Sequence, residues 1–94
     1  MIVSFKHKGL EQFFLKGDGS KLQQVHLGKI RLILATLNAA NSVKDVNVPG
    51  WNLHALKGEL KNNWSVKVNG NWRITFRFIE ENVEVLDVNY LDYH

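Results

Sequence analysis

Two periods of apolar spacing divide the chain. In the first half Leu10, Phe13 and Phe14 fall on one side of a short helix that Gly17 can end, and Asp18-Gly19-Ser20 offer turn and N-cap chemistry for a second. From Lys21 to about Asn38, Leu22, Val25, Ile30, Ile33 and Leu37 share a broad face with Gln24, Arg31 and Asn38 opposite, which predicts a helix laid on an apolar surface. In the second half the period changes to two. Trp64, Val66 and Val68 alternate with Ser65 and Lys67, and Trp72, Ile74, Phe76 and Phe78 alternate with Arg73, Thr75 and Arg77.

Directly opposed residues of a hairpin share a face, so the alternation also predicts register. A three-residue loop, Asn69 to Asn71, pairs Val68 with Trp72, Val66 with Ile74 and Trp64 with Phe76, whereas a two-residue Asn69-Gly70 turn would set Val66 against Arg73. The same rule across Glu80-Glu81-Asn82 sets Phe76 opposite Leu86, Ile74 opposite Val88 and Trp72 opposite Tyr90. One side is then apolar and accepts the helices; the other carries Ser65, Lys67, Arg73, Thr75, Arg77, Asp87 and Asn89. Asn52 to Lys57 adds another strand, and Met1 to Phe5 a first one at an edge. The expected class is α+β, an antiparallel sheet with two N-terminal helices packed on one face, in a single domain spanning 1–94.

Composition narrows the classes. Ninety-four residues with 45% hydrophobic side chains sustain one core, and the absence of cysteine excludes disulfides and thiolate metal sites. The opening Met1 to Lys8 has no apolar signal region, and no apolar run approaches the roughly 20 residues of a membrane span, so the expectation is a soluble cytoplasmic protein without a membrane partner. A formal charge of +3 and a pI near 9.3 point mildly to an anionic partner such as nucleic acid.

Three groups carry candidate chemistry: His54 and Lys57, Arg73, and the terminal Asp92-Tyr93-His94. No serine or cysteine nucleophile is apparent beside a base, and the histidines and aspartates show no ligand spacing of predictive force, so neither a metal nor another cofactor is expected. RNA cleavage has lesser demands, because the substrate supplies the nucleophile in its 2'-hydroxyl. A base, an acid and cations beside the phosphate suffice. His54, Asp92 and His94 can share the proton transfers, with Lys57 and Arg73 on the phosphate. Each also has an ordinary structural explanation: a packed histidine, a solvated arginine, a turn lysine and a frayed chain end. His7 and His26 are assigned to surface or packing, and Trp64, Trp72 and Phe76 to the core.

Four segments, in order along the chain, resemble the HigB toxins: Met1 to Leu10, Leu53-His54-Ala55-Leu56-Lys57-Gly58, the run from Trp64-Ser65-Val66 to Asn71-Trp72-Arg73-Ile74-Thr75-Phe76, and the closing Asp92-Tyr93-His94. The resemblance implies a RelE-like fold with a curved sheet. It also implies a ribosome-dependent, metal-independent endoribonuclease acting on messenger RNA in the decoding site. A HigA-type helix-turn-helix antitoxin is the implied partner, with DNA met only through that antitoxin. By motif, His54, Lys57, Arg73, Asp92, Tyr93 and His94 take the family's active-site positions, Tyr93 as a base-stacking or positioning group. Two other classes compete: a basic module that binds RNA or the ribosome without cutting, and a structural partner that only holds a regulator. His54 and Asp92 to His94 separate them from a nuclease, since a pure binder needs no acid or base.

Overall fold

The computed structural model of the protein describes residues 1–58 and 62–93. In chain order these form helix α1 (Lys8–Lys16), a 3-10 turn (Gln24–His26), helix α2 (Leu27–Ala39), a second 3-10 turn (Val43–Val46), and strands β1 (His54–Ala55), β2 (Trp64–Asn69), β3 (Trp72–Ile79) and β4 (Glu84–Asp92). The strands make one antiparallel sheet in the order β1-β2-β3-β4, and the helices cover one side of it, giving the expected α+β architecture.

Helix α1 starts where His7 Nδ1 accepts the Leu10 N–H at 3.2 Å, and ends where Gly17, at φ 74°, donates its N–H to the Phe13 carbonyl. The second helix begins later than its apolar spacing predicts. Asp18 Oδ1 accepts the Ser20 N–H and the Gly19 carbonyl accepts the Leu22 N–H, so this stretch is spent on a turn, followed by the 3-10 segment. Three residues per turn there, against 3.6 in the helix, change the phase. Val25, expected inside, is 85% exposed, and His26 takes the inward position at 4%. Beyond it Ile30, Ile33, Leu34 and Leu37 are buried as a helix period requires.

The β2–β3 pairing follows the predicted register at Val66 with Ile74 and Trp64 with Phe76. Only its end differs: Asn69 rather than Val68 pairs with Trp72, and an irregularity between Lys67 and Asn69 absorbs the extra residue. In β3–β4 the expected pairs do not form. Ile79 pairs with Glu84 across four residues instead of three, moving Leu86 opposite Arg77. A bulge between Thr75 and Arg77 then shifts the rest once more, so Ile74 meets Tyr90 and Trp72 meets Asp92. The bulge is built by Asp87, at φ 56°, whose N–H is accepted by Ser4 Oγ at 2.8 Å. The inward residues of β4 are therefore Val85, Val88 and Tyr90, not Leu86.

The two outer segments are slighter than expected. β1 is two residues long, and Met1 to Phe5 makes isolated parallel bridges from Ile2 to Val85 and Phe5 to Val88 in place of a full strand. Between helices and sheet the core holds Leu10, Ile30, Ile33, Leu37, Val66, Ile74 and Phe76, each at 0% exposure. Among the described residues no helix is long and apolar enough to cross a membrane.

Candidate active site

The sheet side turned away from the helices is organised in rows. Directly paired residues lie on the same face, so His54 in β1, Ser65 in β2, Thr75 in β3 and Asn89 in β4 form one polar row across all four strands. The next row toward the β2–β3 turn is Lys67, Arg73 and Leu91. Tyr93 follows Leu91 by two and keeps to this face through the pleat; its N–H donates to the Asn71 carbonyl at 2.8 Å, extending the pairing past β4.

The floor of these rows is closed off although polar. Ser65 is 0% exposed and Thr75 3%, and the Ser65 Oγ finds no hydrogen-bond partner among the described residues. Arg73 is half-buried, and its Nε and Nη1 are likewise buried and unpartnered. By contrast Arg77, one row beyond Thr75, is held by Asp87 at 2.9 Å and is already neutralised. An unpaired, partly desolvated guanidinium favours an anion with planar acceptor pairs, such as a phosphodiester, because the attraction is less screened there than in open water.

His54 is exposed at the edge of this surface. Its Nδ1 lies 2.9 Å from the Asn52 carbonyl. A carbonyl only accepts, so Nδ1 carries the hydrogen and the neutral ring keeps its lone pair on Nε2, free to take a proton. Asn52 aims that carbonyl from a left-handed backbone (φ 50°) after the Pro49-Gly50 turn, a conformation asparagine tolerates well. Sequence reading did not single out Asn52. The signal available was an asparagine between a turn and a strand two residues before a histidine.

The remaining candidates fall differently. Lys57 is exposed just past β1, where the Leu56 N–H donates to the Asn63 carbonyl and Gly58 turns the chain at φ 71°. Asp92 pairs with Trp72, so the pleat sets it on the side of Trp72 and Tyr90, across the strand from Arg73 and Tyr93. His94 lies outside the described residues. The sheet thus sets His54, Arg73 and Tyr93 on one face, spread from β1 to the end of β4, with Lys57 on the adjoining connection. His54 and Arg73 stand two strands apart, roughly 10 Å across the sheet, and one row apart, roughly 7 Å along it. Among the described residues no group of three or more histidines or acids gathers as a metal site would require.

A family described as the RelE-like toxin of the type II toxin-antitoxin system HigB matches residues 3–94. A protein of Proteus vulgaris named Endoribonuclease HigB is 42% identical over 94 residues, covering 100% of both chains.

Proposed function

Since this chain belongs to the HigB-like toxins of type II toxin-antitoxin systems, we propose that its endoribonuclease activity is exerted on messenger RNA in the ribosomal A site, without a metal ion. As a type II toxin it has an antitoxin partner; the finer reading is a HigA-type helix-turn-helix protein that alone contacts DNA. The observation that carries the catalytic reading is the common face shared by His54, with Nε2 as its acceptor, and the unpaired guanidinium of Arg73.

The chemistry is an in-line transfer within the RNA. The 2'-oxygen forms a bond to phosphorus as its proton leaves for a base, the bond from phosphorus to the 5'-oxygen breaks, and an acid protonates that oxygen. The Nδ1–H bond to Asn52 suits His54 to the accepting role, and the donating role is left to His94, because Asp92 stands across the strand from Arg73 and Tyr93. Arg73 and Lys57 meet the charge that builds on the phosphate, and Tyr93 stacks on or positions a base. The polar rows offer few contacts to a long RNA, which favours an activity that needs the ribosome to hold the substrate.

Mapping of RNA ends after brief induction tests the reading. The expected 5' fragments end in 2',3'-cyclic or 3'-phosphate, as attack by the RNA's own 2'-hydroxyl rather than a metal-bound water requires, and arise within translated frames. Ends bearing 3'-hydroxyl would overturn the mechanism. Efficient cleavage of free RNA at the same sites without stimulation by ribosomes would overturn the ribosome requirement. Arrested translation with no new RNA ends would instead support the non-cutting binder.

A further inference from the structure

Beneath the strand ends that carry Arg73 and Tyr93, on the helix side, lies an aromatic cluster that the cleavage reaction does not use. His26 is 4% exposed, and its Nδ1 is 2.7 Å from the Tyr90 hydroxyl. The same ring stands edge-on to Trp72 at 5.9 Å and to Tyr90 at 6.0 Å. Trp72 and Tyr90 stack on each other with centroids 4.6 Å apart and planes 26° from parallel, and His7 meets Tyr90 edge-on at 5.5 Å. We propose that His26 is a positioning residue: through Tyr90 and Trp72 it fixes the register of the last segment of β4 against β3, and so holds Tyr93 beside Arg73. The proposal rests on the reading of Tyr93 and Arg73 as RNA contacts.

The need for such a device follows from the bulge. Register in a hairpin is normally inherited from its turn, but β4 slips by one residue between its pairings with Arg77 and Thr75. Whatever the turn dictates is lost there, and the final segment must be aligned by its own side chains. Trp72 and Tyr90 are suited to this because they are not direct partners. Trp72 pairs with Asp92 and Tyr90 with Ile74, so their stack is diagonal and fits only one alignment. A slip of two residues would keep the faces correct yet carry Tyr93 about 7 Å along the sheet, away from the Asn71 carbonyl that now accepts its N–H. His26 ties the diagonal pair to the start of α2, and burial raises the Tyr90 phenol above its ordinary pKa, keeping the hydroxyl protonated for this bond.

The chain has two tyrosines, Tyr90 and Tyr93, so 3-fluorotyrosine gives one fluorine resonance for each. His26→Leu removes the hydrogen bond, His26→Asn restores a polar atom near the Nδ1 position, and Tyr90→Phe deletes only the hydroxyl and leaves Tyr93 as the single label. The Tyr93 resonance is expected to shift or broaden in His26→Leu and in Tyr90→Phe and to return toward the parent in His26→Asn. RNA cleavage should fall about 10-fold to 10²-fold in the first two, as for a reacting group misplaced by an ångström, and recover in the third. If His26→Leu does not fold, Tyr90→Phe carries the test, since its ring still fills the cluster. An unmoved Tyr93 resonance in folded Tyr90→Phe, or undiminished cleavage by it, would overturn the inference and leave the reading of Tyr93 intact. Full activity of Tyr93→Ala would overturn that reading, and with it the functional half of the inference.

Discussion

On the helix side of the sheet, Val66, Ile74 and Phe76 are wholly excluded from solvent, and the polar side chain that reaches in, His26, finds a partner in Tyr90. On the other side of the same strands, one residue along in each case, Ser65 and Arg73 keep buried polar atoms that no described residue satisfies. Native interiors seldom leave such atoms unpaired, because a buried donor without a partner costs about 1–3 kcal/mol. The contrast separates two tasks. The helix side is finished by folding, whereas the polar side keeps unsatisfied groups, and in the proposed function an RNA phosphate would supply the charge and acceptors that Arg73 lacks.

The largest effects should separate cleanly across this divide. Phe76→Ala removes a ring with no exposure from the middle of the core and is expected to lower the unfolding free energy by about 3–5 kcal/mol in a urea titration. Arg73→Ala should leave the melting temperature nearly unchanged while lowering cleavage about 10²-fold or more, the usual loss for one preorganised charge contact. An Arg73→Ala protein that melts far below the parent would mean the guanidinium supports the fold, and the division between the faces would fail.

How much of this was legible in the sequence depends on whether a feature is periodic. The alternation from Trp72 to Phe78 identifies the apolar side and sets Arg73 on the opposite one, and the same counting aligns Val66 with Ile74. The bulge at Asp87 is not periodic. It depends on Ser4, a residue more than eighty positions away that accepts the stranded N–H, and no local pattern in Glu84 to Asp92 announces it. The longer turn and the bulge together shift the pairing by two residues and so restore the faces: Asp92, two after the inward Tyr90, stands on the helix side as the alternation alone would place it, apart from Tyr93. The inward turn of His26 was hidden likewise, because a 3-10 segment breaks the helical phase that made Val25 look buried. His54 was legible as a candidate from its chemistry, but its tautomer depends on a backbone carbonyl that only the fold supplies.

A smaller effect sharpens the comparison at Ser65. Its hydroxyl is fully buried and unpartnered, so replacing it with a methyl group removes a desolvation cost and opens almost no space. Ser65→Ala is therefore expected to unfold at the same urea concentration as the parent or a higher one, by up to about 1 kcal/mol. The corresponding deletion on the helix side, Tyr90→Phe, leaves His26 Nδ1 without its partner and should destabilise. If both hydroxyl deletions destabilise alike, Ser65 has a partner in solution and the polar floor is not the unfinished surface described above.

The smallest effect belongs to the helix side and is read through pH. His7 caps α1 by accepting the Leu10 N–H at Nδ1, which requires a neutral ring. Burial holds its pKa below the ordinary 6.5, helped by the nearby Lys21 charge and opposed by a hydrogen bond to its own backbone. Because the unfolded chain takes up this proton more readily than the folded one, the contribution is complete above pH 6.5 and is lost as pH falls through the lowered folded value. Protonation occupies the lone pair that serves the cap, so the loss should approach that of a deleted N-cap, about 1 kcal/mol. His7→Asn keeps an oxygen acceptor at the cap and cannot titrate in this range. Urea midpoints measured from pH 7.5 down to pH 5 should therefore fall more steeply for the parent than for His7→Asn, and parallel curves would show that the cap does not depend on the charge of His7.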